Sequence, residues 1–192
     1  YFFLFFLFSS LSRPKNINPT AANTTADTVI TDVHKLTLLM RSQFNGSPLI
    51  LVGHSMGGFA VSLYGAKYPD KKLRGIVTSG AAVCDTIGLF AGAPAGLDPN
   101  IQLPNELGGG VCSVAEVVDW YGKDPYNKKA YCIGLVYALK AGQAWFKESM
   151  KTFSYPVFIT HGEKDGLVGQ DDSIIFFKNA ASTDKQLKIY GN

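Results

Sequence analysis

An α/β fold built around a parallel sheet is what this sequence predicts, and three observations predict it. Short apolar segments recur at residues 49–52 (LILV), 73–79 (LRGIVTS), 157–160 (VFIT) and 186–190 (QLKIY), each the length of a strand buried in a layered fold. Helical periodicity occupies stretches before and between them. A glycine-rich break at residues 53–58 (GHSMGG) joins the first segment directly to a helical pattern. Strands that alternate with helices argue for a sheet covered by helices.

The elements follow in order. Residues 1–8 (YFFLFFLF) are wholly apolar but fall short of the roughly 20 residues a membrane-spanning helix needs. They read as a strand separated from its sheet, or as a stretch foreign to the domain. They offer at most an interfacial contact with lipid, without the cationic face of a surface-binding helix. Residues 13–27 are rich in Pro, Asn and Thr and have no period, so they read as a linker. Residues 1–26 are thereby set apart from a domain spanning 27–192.

Within that domain, Val29, Val33, Leu36 and Met40 recur at helical intervals, predicting a helix over 28–43 with Asp27 as its N-cap. A turn at 45–48 leads into the 49–52 strand. The helical pattern resumes at Phe59 and ends near Tyr68-Pro69, before the 73–79 strand. Residues 81–153 break the rhythm: they carry Gly88, Gly92, Gly96 and the run Gly108-Gly109-Gly110. Helix-like pieces follow near 114–121 and 128–145, with no obvious strand. The stretch reads as a cap insertion lying over the sheet. The 157–160 strand, a helix over 173–181 and the 186–190 strand close the chain.

Composition excludes several classes. A chain of 192 residues with 46% hydrophobic and 17% charged side chains has the material for one packed domain and is not disordered. The net charge of +3 is scattered, with no basic block, so nucleic acid is not an expected partner. Cys84, Cys112 and Cys132 are widely spaced, without a CxxC pair or histidines at ligand spacing. Neither a disulfide framework nor a metal site is expected, and no cofactor. A reducing setting, cytoplasmic or peripheral to membranes, is the corresponding expectation.

Gly53-His54-Ser55-Met56-Gly57 fits G-x-S-x-G between a strand and a helix. A serine on so sharp a turn takes a strained backbone and projects its Oγ above the sheet. Gly53 and Gly57 flank it because neighbouring backbone leaves no room for a Cβ, and Gly58 lets the helix pack closely. The Met56 N–H opens the helix and points where an oxyanion would form, aided by the helix dipole. Ser55 is therefore the candidate nucleophile.

With these residues the chain resembles the α/β-hydrolase superfamily, and the GHSMGG form is similar to its monoacylglycerol lipase and lysophospholipase branch, with a serine aminopeptidase-type domain. The resemblance extends over about 26–192, through Asp124-Pro125, residues 155–165 (YPVFITHGEKD) and residues 184–190 (DKQLKIY). It implies an α/β-hydrolase fold in which the four strands found correspond to the last four of eight. It also implies Asp165 as the acid that orients the catalytic histidine, and a lipid-like ester as substrate. Glu163, Asp171 and Asp172 are competing acids, better suited to a solvated helix start. Peptidase, thioesterase and small-ester specificities stay open on one elbow, whereas epoxide and haloalkane hydrolysis would need a carboxylate where Ser55 stands.

In this family the base is a histidine that follows the acid in chain order. The three histidines are His34, His54 and His161, and none follows Asp165. His34 suits a helix surface or a satisfied place in the core, and His161 a structural role. The His54 side chain should point away from the direction in which Ser55 projects. The family histidine is expected just past Asn192, and no His-Gly loop for a second oxyanion donor precedes Thr28. The expectation is the middle and rear of a lipase-like serine hydrolase, inactive by itself. The alternative is a truncated hydrolase-like protein serving as a binding or partner-dependent module. The apolar side chains of the insertion, Leu89, Phe90, Trp120, Tyr131, Leu135, Tyr137 and Trp145, suit either an acyl-chain lining or ordinary core packing.

Overall fold

The computed structural model describes residues 2–7, 25–69 and 73–191. In chain order the first elements are β1 (Phe2–Leu7), α1 (Ala26–Gln43), β2 (Leu49–His54), α2 (Met56–Lys67) and β3 (Gly75–Ser79). The insertion then contributes β4 (Gln102–Pro104), α3 (Ala115–Lys123), β5 (Ala130–Cys132) and α4 (Ile133–Ser149). The chain closes with β6 (Val157–Gly162), α5 (Gln170–Asn179) and β7 (Lys185–Tyr190).

The main sheet has the order β1-β2-β3-β6-β7, and every neighbouring pair is parallel. It holds one strand more than the four read from the sequence. The apolar start is the edge strand β1, with Phe2 opposite Leu49 and Leu7 opposite His54. A continuous apolar run carries no period, so a paired strand and a foreign stretch look alike in sequence. Most of the expected linker, residues 13–24, lies outside the described residues.

Thr25, not Asp27, caps α1. Its Oγ1 accepts from the Thr28 N–H at 3.1 Å, and the Thr25 N–H donates to Thr28 Oγ1 at 2.8 Å, a reciprocal capping box. Asp27 instead meets Lys67 Nζ at 2.6 Å. Helix α2 is buried from Gly57 through Ala66, as suits a helix enclosed on all sides. It lies on β2 and β3 and is flanked by α1 and α4. That enclosure fixes the end of the helix nearest Ser55.

The insertion does contain strands. β4 and β5 pair antiparallel, Leu103 opposite Tyr131. Three residues are too few to display alternation, and Pro104 argues against a strand in the sequence. The return to the sheet runs through α4, whose Phe146 packs edge-on against Phe176 of α5 with centroids 5.1 Å apart. Phe153 meets the same Phe176 ring at 5.0 Å and 90°. All three rings are buried, so the base of the insertion is welded to the helix that precedes β7. Of the seven apolar insertion side chains named above, none is fully buried, and Trp120 is 62% exposed. Core packing is therefore not their common role.

Candidate active site

The C-terminal edge of a parallel sheet is where ligands bind in open α/β folds, and three loops converge there. Strand register sets them side by side. His54 is opposite Ser79 and Ser79 opposite Thr160. The Ser55 N–H donates to the Ser79 carbonyl at 2.8 Å and the Gly80 N–H to the Thr160 carbonyl at 3.0 Å.

Ser55 has φ 52° and ψ −120°, a region that L-residues rarely occupy and that costs about 1–3 kcal/mol. Burial of β2 and α2 over-determines it. A Cβ on Gly53 would lie 2.3 Å from the Gly57 carbonyl oxygen and 2.7 Å from the Gly58 nitrogen, so the chain can double back only over a glycine. A Cβ on Gly58 would lie 2.6 Å from the Ala81 Cβ, which brings the helix against the loop after β3. Ser55 is the N-cap residue of α2, yet its side chain makes no capping hydrogen bond. The strained turn thus presents the hydroxyl without tying it to its own helix. Met56 is the first helical residue, where N–H groups lack intrahelical acceptors.

Asp165 lies in the loop after β6, with β3 between its strand and that of Ser55. Its Oδ1 accepts from the Leu167 and Val168 N–H groups, each at 2.9 Å. Its Oδ2 faces inward along the sheet edge, 3.1 Å from where a Cβ on Gly80 would stand. The His54 Cε1 is 3.8 Å from that same point. The exposed His54 ring leans toward β3, and its Nδ1–H donates to the Ser79 carbonyl at 3.0 Å. Among the described residues no hydrogen bond joins Ser55 to Asp165.

His161 is buried and held at both nitrogens. Its Nε2–H donates to the Val168 carbonyl at 2.8 Å, and Nδ1 meets Ser173 Oγ at 2.7 Å. Nε2 is also 3.5 Å from Asp165 Oδ2. Burial pulls its pKa down, but bonding to Asp165 and Val168 and the charges of Asp165 and Asp172 outweigh that and raise it. Burial favours a neutral Asp165, but His161 and the two backbone N–H donors prevail and lower its pKa. The signs set a window. The raised histidine stabilises fully below its unfolded value of about 6.5 and ceases to do so as pH climbs through its folded value. The depressed carboxyl stabilises above its unfolded value, about 3.9, and ceases to as pH drops through its folded value. The thermal midpoint lost in His161→Asn should be greatest between about pH 4 and 6.5 and should shrink on either side. A constant loss across a pH series of melts would refute this electrostatic coupling.

Two features were hidden in the sequence. Asp172, expected at a solvated helix start, is 0% exposed. It accepts from the backbone N–H groups of Cys84, Asp85 and Thr86 at 2.6, 3.0 and 2.9 Å and from Thr86 Oγ1 at 2.7 Å. The available signal was its place one residue before Ser173 and four before Phe176, both on the buried face of α5. The second feature is Cys84, the thiol nearest this loop. Burial and the Asp172 charge, against Lys147, push it up to about 12, so it is no competing nucleophile. Among the described residues no cluster of three metal-ligating side chains occurs.

A family model described as serine aminopeptidase, S33, matches residues 19–192. A monoacylglycerol lipase of Mycolicibacterium smegmatis is 32% identical over 150 residues, covering 74% of this chain and 53% of that protein. The chain thus spans about half the length of that curated relative. Among solved structures, a Paleococcus ferrophilus monoacylglycerol lipase superposes with a TM-score of 0.75 at 20% identity, over 88% of this chain and 66% of that one. A soluble variant of Saccharomyces cerevisiae monoglyceride lipase, solved with a substrate analogue, gives 0.72 at 22% identity, over 86% and 59%. These two share the fold.

Proposed function

This chain belongs to the serine aminopeptidase (S33) family, and within that family's α/β-hydrolase fold we propose that it forms the middle and rear of a serine ester hydrolase acting on monoacylglycerols or lysophospholipids. The observation that carries the reading is the Ser55 backbone at φ 52° and ψ −120°, over a glycine that admits no Cβ. A turn of this shape between strand and helix is costly, and its yield is a half-buried hydroxyl at the helix N-terminus that its own helix does not tie down.

Ser55 Oγ attacks the ester carbonyl carbon while a histidine takes its proton. The carbonyl oxygen becomes an oxyanion facing the Met56 N–H. Collapse breaks the acyl–oxygen bond, and the histidine returns the proton to the departing glycerol oxygen, leaving an acyl-serine. Water then attacks that ester, delivers its proton to the histidine and releases the fatty acid with Ser55 restored. Asp165 holds the histidine by the Oδ2 that its own loop leaves facing the sheet edge. In this reading that histidine is none of His34, His54 and His161, and the chain spans about half the length of its curated relative. The 192-residue chain, whose histidines all precede Asp165, is inactive alone. The half-buried and exposed apolar residues of the insertion receive the acyl chain, and no cofactor takes part.

A series of glycerol esters from acetyl to oleoyl, offered to the intact protein, tests this reading. Each methylene buried is worth up to about 0.8 kcal/mol, so kcat/KM should climb by about tenfold or more along the series. A flat profile would remove the acyl-binding role of the insertion. Failure to label Ser55 with a fluorophosphonate probe would remove the hydrolase reading itself.

A further inference from the structure

Asp172 belongs to no step of the reaction above, yet it is the most heavily bonded carboxylate among the described residues. Its four donors all come from residues 84–86, where the chain leaves β3 to begin the insertion. Asp85 among them has φ 54°. Its own carboxylate accepts from the Leu89 N–H at 2.7 Å and the Phe90 N–H at 3.2 Å. The entry of the insertion is thus folded by two carboxylates in series, the first buried and the second placed by it.

The same helix turn also holds the loop of the candidate acid. The Asp172 N–H donates to the Gly169 carbonyl at 3.0 Å. A Cβ on Gly169 would lie 2.5 Å from Thr86 Oγ1, so the loop and the entry segment touch. Ser173 meets His161 Nδ1, and the opposite ring nitrogen donates to the Val168 carbonyl. On the far side, a Cβ on Gly110 would lie 2.6 Å from the Leu167 side chain. The loop 165–169 is therefore held between two parts of the insertion and the start of α5.

We propose that Asp172 is a positioning residue that fastens the entry of the insertion to the acid loop, so that where the insertion sits and where Asp165 points are set together. Any ligand that shifts residues 84–90 moves the Asp165 loop through Asp172. The inference rests on the hydrolase reading for its kinetic consequence, and on geometry alone for its mechanical one.

Asp172→Asn in the intact protein tests it, because an amide keeps the shape but turns N–H donors toward N–H donors. Amide hydrogen exchange is expected to quicken about tenfold or more at residues 84–90 and also at Leu167 and Val168, the scale set by losing a bond to a charged group. Exchange across residues 59–66 of α2 should not change. KM for a long-chain monoacylglycerol should rise several-fold, with KM for p-nitrophenyl acetate within about twofold of its original value. Faster exchange confined to 84–90, with Leu167 and Val168 as before, would overturn the proposal. If Asp172→Asn does not fold, Thr86→Val removes one of the four bonds and is read in the same way at smaller size. If the unaltered protein hydrolyses no ester, the hydrolase reading falls while the exchange result still decides this one.

Discussion

Ser55→Ala is expected to remove ester hydrolysis by the intact protein, by about 10⁴-fold or more in kcat, since catalysis without the nucleophile falls to what binding and oxyanion donors supply. Fluorophosphonate labelling should vanish with it. A variant retaining most of its turnover would end the assignment of Ser55 as nucleophile. Ser55→Gly gives a second, independent readout. Alanine keeps the strain of φ 52° and ψ −120°, whereas glycine occupies positive φ freely. Relief of about 1–3 kcal/mol outweighs the roughly 0.5–1 kcal/mol of chain entropy that glycine forfeits. Ser55→Gly should therefore melt above Ser55→Ala, by about 2–4 °C for each kcal/mol in a chain of this size. Equal midpoints would show that the turn is not strained and that its shape needs another explanation.

Gly53→Ala should damage the fold more than any other single methyl group added near the site. The new carbon would lie 2.3 Å from the Gly57 oxygen, 2.5 Å from the Gly57 carbonyl carbon and 2.7 Å from the Gly58 nitrogen. All three are backbone atoms, so no side chain can swing aside. Overpacking of this kind costs about 3 kcal/mol, which corresponds to a midpoint lower by roughly 6–12 °C. Gly122→Ala is the matched control: it lies in α3 with nothing within 4 Å of the added carbon. Its midpoint should be unchanged or slightly raised, as alanine suits a helix better than glycine. Calorimetry of the two variants decides it, and near-equal midpoints would mean that α2 can shift away from β2.

The elbow was legible because it is local. A buried strand, two glycines at fixed offsets and a helix start are all encoded within residues 49–67. The place of Asp165 after a strand came from the family resemblance, and the Leu167 and Val168 N–H groups that hold its carboxylate, two and three residues on, leave no mark in the sequence. Asp172 was misread because its partners are 86 to 88 residues away, and an acidic side chain in a first helical turn is equally at home in water. The cap of α1 was displaced by two residues because Thr25, Asp27 and Thr28 all have cap-forming side chains. Only the reciprocal bond between Thr25 and Thr28 selects the first. The short strands β4 and β5 carry no periodic signal, and β1 has composition without punctuation.

The attachment of the insertion has a consequence for how such a protein can diversify. Its ends rise from neighbouring strands, β3 and β6, already paired in register from Ile76 with Val157 to Ser79 with Thr160. A crossover between parallel strands needs a dozen or more residues, usually with a helix, and α4 supplies that helix. The stretch before α4 is then free to vary, because doubling the length of a surface excursion costs only about 0.6 kcal/mol of closure entropy. Much of residues 87–132 can be exchanged for a different segment while the elbow keeps its place. What a replacement must preserve is the run of backbone N–H groups that Asp172 grips just before it and the close approach of Gly110 to Leu167 of the acid loop. That is a small mechanical standard for an interchangeable part.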